Sequence, residues 1–563
     1  MTMELLSEAV RRRAGIHGSA PAVTSLRYVV RQGGRHAEST TLTYGELDER
    51  AAAVAAELAH VCSPRARVAL LCPHDPSYVI AFLGCQYAGV VAVPLPAPDA
   101  SRGRERLESV LADCRPEAVL TSSDAAPAVR RALERCTGTT PTLIETDSCR
   151  PSTAWRPPDI DPDGLAYLQY TSGSTRSPAG VRITRRGLAA GSAQLRAHFP
   201  GAATLASWVP FSHDMGLVFG IAHPLSVGAH TIHLSPMAFI QDPLRWLEAI
   251  TRYRADWSVT PPFGLTQCVR AARRADRSRT LDLRSLDLRS LRSLNIAGEA
   301  VHAEDVEAFT AAFAGAGLAP EVLAPSYGLA EATLAVTAPP LGEGMTATRF
   351  ERAALAAGEV VVADDTRPAQ RLVGCGRPKT GMSIRIADPG GDELPPGRVG
   401  EILLRGPNVA DGYWRAAERT AAAFGAGDGW LRTGDLGFQH DNHLYIVGRA
   451  SEVIIIRGRN HHPSDIEATI EQAHERTVAA AFSVDLDGAE RLVILVECDH
   501  VRQGAGHADR QDFVQELRRS VTSRHGVTVH RLLLVRPGSL PRTSSGKIQR
   551  GRCRERYLAS AYA

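Results

Sequence analysis

Short apolar runs alternate with amphipathic helical stretches through the first part of the chain. Residues 68–72 and 90–95 are apolar and rich in valine, which is typical of buried strands, and the Ala-rich run from Leu47 to Leu58 carries its charges on one side, as a helix does. Strands and helices in alternation favour a parallel α/β sheet. At 563 residues the chain is too long for one core, so we expect two or more domains.

The pattern changes toward the end of the chain. Residues 453–456 and 492–496 predict compact strands, and the run from Ser464 to Ala473 predicts a helix with Ser464 as its N-cap. The predicted fold class is therefore α/β: a large N-terminal domain of parallel-rich sheets and helices over residues 1–447, followed by a small α+β domain over residues 448–563.

Composition narrows the class of protein. A hydrophobic fraction of 44% and a charged fraction of 22% are those of a soluble globular protein. A net charge of +3 with interspersed signs makes nucleic acid an unexpected partner, and no window reaches the roughly 18 apolar residues of a membrane span. The first residues are acidic, unlike a secretory signal, so a cytoplasmic location is expected.

Two segments have the composition expected where phosphate is bound. The first is a run of hydroxyl residues and glycine between two apolar stretches: Thr171, Ser172, Gly173, Ser174 and Thr175. Such a turn is by itself more often an ordinary loop. The second contains Lys547, directly after a Ser-Ser-Gly turn, in a chain whose only other lysine is Lys379. A mobile ammonium can follow charge through a reaction better than a flat guanidinium.

Together these segments resemble the adenylate-forming superfamily of acyl and aryl ligases, and further motifs extend the resemblance over about residues 40–555. It implies ATP and Mg²⁺ as cofactors, with Glu331 as the metal ligand and Lys547 and His213 as catalytic residues. The implied nucleotide-binding residues are Gly298, Glu299, Ala300, Ser326, Tyr327, Gly328, Asp435 and Arg449. The implied acyl pocket comprises Met215, Gly216, Phe219, Phe263 and Gly264.

Each of these residues also has an ordinary interpretation. Asp435 alone is a turn residue, Tyr327 a half-buried aromatic side chain and Glu331 a solvated helix charge. The apolar pocket residues are equally typical of packed core. In the family the small domain rotates about a hinge, which matches Ser451 here, although the usual residue is Asp or Lys.

Within the superfamily the chain looks like a fatty acyl-AMP ligase. His213 stands where amino-acid-activating domains place an aspartate, so no buried anion is expected for an amino group. Arg176 and Ala179 replace the Gly and Lys usual in acyl-CoA ligases. The stretch of about residues 340–372 is similar to an insertion that is thought to restrain the small domain and disfavour CoA; a plain surface loop is the alternative.

The resemblance implies a fatty acid as substrate and an acyl carrier protein or carrier domain, acting in trans, as the acceptor. Four arginines offer a basic surface for such a carrier, although basic helix ends are usually just solvated: Arg550, Arg552, Arg554 and Arg556. An acyl-CoA synthetase is the alternative function. A catalytically silent nucleotide-binding homologue is a third hypothesis, for which Ser451, Arg176 and Ala179 are the supporting departures.

Overall fold

A computed structural model of the chain describes residues 4–31, 34–98, 104–135, 141–152, 154–171, 179–201, 203–278, 283–425, 429–456, 459–474, 477–486, 489–498, 507–543 and 546–562. The α-helices are α1 Leu6–His17, α2 Tyr44–Val61, α3 Pro76–Ala88, α4 Arg104–Cys114, α5 Ala126–Leu133, α6 Arg185–His198, α7 His223–Val227, α8 Pro236–Gln241, α9 Leu244–Tyr253, α10 Pro262–Ser278, α11 Ala303–Phe313, α12 Arg352–Ala356, α13 Ala417–Phe424, α14 Pro463–Ala473, α15 His507–His525 and α16 Arg550–Leu558. A π-helix covers Met215–Ala222, and 3₁₀ turns cover Leu283–Ser285, Ala314–Ala316, Pro320–Val322, Ala330–Ala332 and Ala450–Glu452.

The strands before residue 340 are β1 Pro21–Arg31, β2 Gly34–Thr43, β3 Arg67–Leu70, β4 Val91–Pro94, β5 Ala118–Thr121, β6 Thr142–Glu145, β7 Leu165–Tyr170, β8 Gly180–Thr184, β9 Thr204–Ser207, β10 His230–Leu234, β11 Trp257–Thr260, β12 Ser293–Ile296, β13 Leu323–Pro325, β14 Tyr327–Gly328 and β15 Ala335–Ala338. Those after it are β16 Thr346–Glu351, β17 Ala369–Gly374, β18 Arg377–Pro378, β19 Ser383–Ala387, β20 Gly400–Arg405, β21 Leu431–His440, β22 His443–Arg449, β23 Ile454–Ile456, β24 Arg459–His461, β25 Val478–Leu486, β26 Ala489–Glu497 and β27 Val529–Val535.

Two sheets carry the parallel pairing that the sequence predicts. One has the order β13-β12-β11-β9-β10-β1-β2 and the other β6-β5-β3-β4-β7-β8, and in each an edge strand, β2 or β8, runs antiparallel. The predicted strands at 68–72 and 90–95 are β3 and β4, which are parallel neighbours. The predicted α/β fold class is confirmed.

Local sequence signals set the helix starts in this region. Thr43 and Glu46 form a capping box at α2, in which the Thr43 amide donates to Glu46 Oε2 at 2.9 Å. Helix α3 starts with Asp75 as N-cap and Pro76 as its first residue, and it ends at Gly89, whose φ of 70° is left-handed. The helix predicted from Leu47 to Leu58 lies inside α2.

A third sheet is antiparallel throughout, in the order β16-β17-β22-β21-β20-β19. The predicted insertion at about 340–372 supplies β16, α12 and the start of β17. The insertion therefore has regular structure that extends the sheet carrying Asp435 and Arg449.

The residues after Val453 pack around β25, β26 and β27, and two hydrophobic clusters consist only of side chains from this part. The strand predicted at 492–496 is β26. The prediction of Ser464 as an N-cap is wrong: His462 takes the cap position and Pro463 begins α14, because a proline without an amide hydrogen is favoured at the first helical residue. The domain boundary at 448 stays a prediction. None of the described helices combines the length and apolar character needed to cross a bilayer.

Candidate active site

A carboxylate held between a tyrosine and an arginine forms one wall of the candidate site. Asp435 and Arg449 face each other on β21 and β22. Arg449 Nε donates to Asp435 Oδ1 at 2.9 Å, and the Tyr327 hydroxyl donates to Oδ2 at 2.7 Å. These donors replace water that the nearly buried Asp435 has lost. Because each oxygen keeps a further lone pair, the carboxylate can also accept two hydroxyl groups, as the ribose role requires.

The predicted adenine segments lie where parallel strands β12 and β13 end side by side. Asn295 Nδ2 donates to Ser326 Oγ at 2.9 Å, which fixes the two strand ends against each other. Gly298 has a φ of 94°, a conformation that favours glycine. A Cβ at Gly328 would lie 1.9 Å from a backbone oxygen, so no side chain fits there. A flat base at these strand ends would therefore contact backbone atoms rather than large side chains.

Glu331, the predicted metal ligand, lies on a 3₁₀ turn and is held by a residue that the sequence analysis missed. The Tyr413 hydroxyl donates to Glu331 Oε1 at 2.8 Å. Tyr413 in turn pairs with Val181 of β8, and β8 begins just after the predicted phosphate segment. The structure thus places Glu331 beside the base of that segment.

The phosphate segment itself is described only at its edges. Thr171 donates its amide to the Ala179 carbonyl oxygen at 3.4 Å, which closes the base of the segment. The other members lie outside the described residues: Ser172, Gly173, Ser174 and Thr175, together with Arg176.

Lys547 reaches from its turn to the Gly298 strand end. A Cβ at Gly298 would lie 3.8 Å from Lys547 Nζ and 4.0 Å from Met215 Cε. Burial raises the pKa of the neighbouring Glu299, and the positive charge of Lys547 offsets part of that rise. Ala300 follows, exposed, on the same turn. The predicted catalytic ammonium therefore lies between predicted nucleotide and acyl residues.

A histidine–aspartate pair faces Lys547. His213 Nδ1 lies 2.5 Å from Asp214 Oδ1, and the Met215 amide donates to the same oxygen at 2.7 Å. Burial acts to raise the pKa of Asp214, but His213, Lys547 and the Met215 amide lower it more, so the pKa lies below its usual value. Asp214 is thus a largely buried anion, but it is already paired with His213, so the expectation that no buried anion is offered to an amino group stays a prediction. The His-Asp dipeptide was the available sequence signal.

The predicted acyl residues belong to two apolar walls. Met215, Gly216 and Phe219 lie on the π-helix, all of whose side chains are buried, and π-helical turns are frequent at functional sites. A Cβ at Gly216 would lie 2.0 Å from the Pro210 carbonyl oxygen, so the close approach requires glycine. The Phe219 ring packs against the Trp257 ring, with 4.2 Å between the two ring centres.

The second wall starts at α10. A Cβ at Gly264 would lie 2.1 Å from Thr260 Oγ1, and the Phe263 ring packs edge-on to Trp208 at 5.5 Å. Phe263 also approaches the Lys547 turn, since a Cβ at Gly546 would lie 3.5 Å from its ring. This wall therefore adjoins the reactive end of the site.

The first 414 residues decide the family. A family model described as AMP-binding enzyme matches residues 10–414. The chain belongs to this family of adenylate-forming enzymes. A second model, described as the AMP domain of Disco-interacting protein 2-like proteins, matches residues 451–563.

Relatives of this adenylate-forming enzyme share most of its length. It is 38% identical over 543 residues, 92% of this chain and 90% of the relative, to the medium-chain-fatty-acid acyl-carrier-protein ligase JamA of Moorena producens. It is also 38% identical to the putative fatty-acid–CoA ligase FadD21 of Mycobacterium tuberculosis, over 97% of each chain. A solved structure from work on fatty acyl-adenylate ligases of E. coli and L. pneumophila superposes with a TM-score of 0.87 at 32% identity, covering 99% of both chains.

One arginine of the predicted carrier-facing cluster of this adenylate-forming enzyme is already bonded within the protein. Arg550 forms ion pairs with Glu452 and Glu467, and its side chain is only 23% exposed. The other three arginines of the cluster are exposed: Arg552, Arg554 and Arg556. The basic character of a single helix end did not reveal that its first arginine is used inside the protein.

Proposed function

We propose that this enzyme activates a fatty acid with ATP to acyl-AMP, releasing pyrophosphate, and then transfers the acyl group to the phosphopantetheine thiol of an acyl carrier protein. The observation that carries the proposal is the meeting of three elements at Lys547. These are the Gly298 strand end on the nucleotide side, the ionised Asp214, and the apolar wall at Phe263.

In the first step a carboxylate oxygen of the fatty acid attacks the α-phosphorus of ATP and the bond to pyrophosphate breaks. The Lys547 ammonium would stabilise negative charge that develops on the α-phosphate and the attacking oxygen. Asp435 would accept the ribose hydroxyls and so fix the nucleotide, while Tyr327 and Arg449 hold Asp435 in place. In the second step the thiol sulfur attacks the acyl carbonyl carbon, AMP leaves, and the thiol proton is released.

Glu331 fits the role of a magnesium ligand. Mg²⁺ is usually held by one or two carboxylates together with phosphate oxygens and water, and Glu331 is a half-buried carboxylate beside the base of the predicted phosphate segment. Bound there, Mg²⁺ would neutralise phosphate charge. Tyr413 would orient the Glu331 carboxylate through the hydrogen bond to Oε1.

The contacts of the insertion support a carrier protein over free CoA as acceptor. Arg352 Nη1 lies 3.5 Å from His525 Nδ1, and because arginine can only donate, His525 accepts there and donates through Nε2 to Thr469 Oγ1 at 2.7 Å. Gln370 hydrogen-bonds Asp465. The insertion thereby holds both α14 and α15, as a restraint on the small domain requires. The activity named for JamA supports this acceptor, and that named for FadD21 supports the acyl-CoA synthetase alternative.

The test uses ATP labelled at the α-phosphate to follow acyl-AMP, and mass spectrometry to follow the acyl thioester. A panel of fatty acids is assayed with no acceptor, with free CoA, or with a phosphopantetheinylated carrier protein. We expect acyl-AMP to accumulate without acceptor, to persist with CoA, and to be consumed by the carrier protein. Rapid formation of acyl-CoA would show that the proposed carrier-protein acceptor is wrong. Absence of acyl-AMP with every fatty acid would favour the hypothesis of a catalytically silent homologue.

Two variants of the insertion sharpen the test. Arg352→Ala removes the contact with His525, and we expect it to raise acyl-CoA formation at least about fivefold, since released restraint changes the barrier to transfer. Arg367→Ala is the matched control, because the ion-pair partners of Arg367 among the described residues, Glu351 and Asp364, belong to the insertion itself. Equal behaviour of the two variants would contradict restraint by the insertion.

A further inference from the structure

Arg550 forms a charged cluster with two carboxylates in the last part of the chain. Its Nε and Nη2 donate to the two oxygens of Glu467 at 2.8 and 2.6 Å, and its Nη1 donates to Glu452 Oε2 at 2.7 Å. A bidentate pair with a third bond to another carboxylate fixes the orientation of a guanidinium far better than one exposed ion pair does.

The two carboxylates belong to different elements. Glu452 lies on the 3₁₀ turn Ala450–Glu452, next to the predicted hinge residue Ser451. Glu467 lies on α14, and its Oε1 also accepts the Ala481 amide of β25 at 2.9 Å. Arg550 thus joins the predicted hinge to the core of the small domain.

Arg550 is three residues after Lys547, and the backbone of Lys547 is also bonded to a residue that precedes it. Lys547 and Thr543 bond to each other twice, the Thr543 amide donating to the Lys547 carbonyl at 2.8 Å and the Lys547 amide to Thr543 Oγ1 at 3.0 Å. On the other side, Arg542 Nη2 donates to Glu497 Oε2 at 3.2 Å. Lys547 is therefore linked to Glu497 through Thr543 and Arg542, and it lies close in the chain to Arg550.

We propose that Arg550 is a positioning residue: with Glu452 and Glu467 it makes the hinge turn and the Lys547 turn one rigid unit, so that rotation at the hinge places the ammonium. The inference rests on the proposed role of Lys547 in adenylation. The family's usual hinge residue is replaced by Ser451, and the neighbouring Glu452 supplies the charged contact at this place.

An acidic residue of the predicted large domain lies near the Lys547 turn and supports the proposed unit. The Glu299 carboxylate lies close enough to Lys547, Arg550 and Arg542 for all three charges to lower its pKa against the rise from burial. The cations at both ends of the turn therefore face the same acidic residue at the Gly298 strand end.

The test compares Glu452→Gln with Glu490→Gln. Glu452 is part of the cluster, whereas Glu490 accepts the amide of nearby Ile455 at 2.9 Å and, among the described residues, is bonded to neither Arg550 nor Lys547. We expect Glu452→Gln to lower the single-turnover rate of adenylation about tenfold, because a small misplacement of a catalytic group can lower a rate by up to about 100-fold. The KM for ATP is expected to stay within about twofold of its normal value. Glu490→Gln keeps the normal rate.

A second measurement reports on Lys547 without turnover. Because Lys379 is buried, acetic anhydride labelling read by mass spectrometry distinguishes Lys547 from the other lysine. We expect a non-hydrolysable ATP analogue to protect Lys547 in the unaltered enzyme. This protection is expected to fall at least about threefold in Glu452→Gln and to be kept in Glu490→Gln.

The outcomes separate the two proposals. If Lys547→Ala adenylates normally, the role of Lys547 is wrong and the proposed function needs another catalytic cation. If Lys547→Ala is inactive but Glu452→Gln matches Glu490→Gln in both rate and protection, the positioning role of Arg550 is overturned. Arg550→Lys, which loses the bidentate geometry but keeps the charge, is expected to behave like Glu452→Gln.

Discussion

The wall formed by Asp435, Tyr327 and Arg449 and the turn that carries Lys547 are built differently. Asp435 and Arg449 are neighbours in one antiparallel ladder, and Tyr327 completes the wall with a hydrogen bond. Lys547 instead sits on a turn fixed to a separate core through ion pairs, and it only reaches over Gly298. Under the proposed function, we infer that the wall supplies nucleotide binding, whereas the Lys547 turn supplies a catalytic group whose placement depends on the contact between the two parts of the chain.

The largest effect is expected from Lys547→Ala. If the turn supplies transition-state charge rather than ground-state binding, adenylation falls about 100- to 1000-fold while the ATP KM changes less than about threefold. Single-turnover rates and KM measure this. A large rise in KM with kcat retained would show that Lys547 contributes to ground-state binding, as the Asp435 wall is expected to do, and would contradict the proposed difference between them.

The converse is expected at the wall. Asp435→Asn leaves Arg449 without its charged partner and weakens acceptance of ribose hydroxyls, so kcat/KM for ATP is expected to fall about 10- to 100-fold, mostly through KM. Tyr327→Phe removes one hydrogen bond and keeps the ring, and about a threefold loss is expected. An effect of Asp435→Asn confined to kcat would contradict a purely binding wall.

Lowering the pH is expected to lower the free energy of unfolding through two buried histidines beside the π-helix. His223 and His233 are fully buried beside the π-helix, and burial lowers the pKa of each to about 3. The unfolded chain, with a pKa near 6.5, binds more protons between those values, so stability is full above pH 6.5 and is lost as pH falls, by about 2 kcal/mol per histidine at pH 5.

Urea unfolding at pH 7 and pH 5 tests this, with the exposed His60 as the matched site. His223→Gln is expected to flatten the pH dependence by about that amount, whatever its effect at pH 7, whereas His60→Gln is expected to leave the slope unchanged. The same slope in both variants would mean that His223 is not held neutral by the fold.

The smallest effect is expected at the other lysine. Lys379 is 5% exposed, its Nζ has no hydrogen-bond partner among the described residues, and it lies 5.1 Å from the centre of the Phe199 ring. Burial lowers its pKa strongly. Lys379→Met keeps the volume and removes the unpaired amine, so the free energy of unfolding is expected to stay equal or rise by about 1 kcal/mol, with normal adenylation. Loss of adenylation would show that Lys379 serves the site.

Local patterns were sufficient for β3, β4, α2 and β26, because apolar periodicity and caps act over a few residues. They failed at Ser464, where the following helix start was decided by Pro463. Asp214 was overlooked although its partner His213 is the adjacent residue. Tyr413 and the role of Arg550 were missed for a different reason. The bond from Tyr413 to Glu331 spans 82 residues and that from Arg550 to Glu452 spans 98, and such pairs leave no local signature.

The sequence by itself determined the α/β class, the family and the residue types available for chemistry, because these follow from periodicity and from short motifs. Only the tertiary structure decided which of those groups meet. Asp435 is held by Tyr327 and Arg449 because two sheets converge there. Arg550 is largely buried because it forms ion pairs with two carboxylates that are distant in the sequence. Hydrogen bonds and ion pairs depend on distances of a few ångströms between segments far apart in the chain, and folding alone sets those distances.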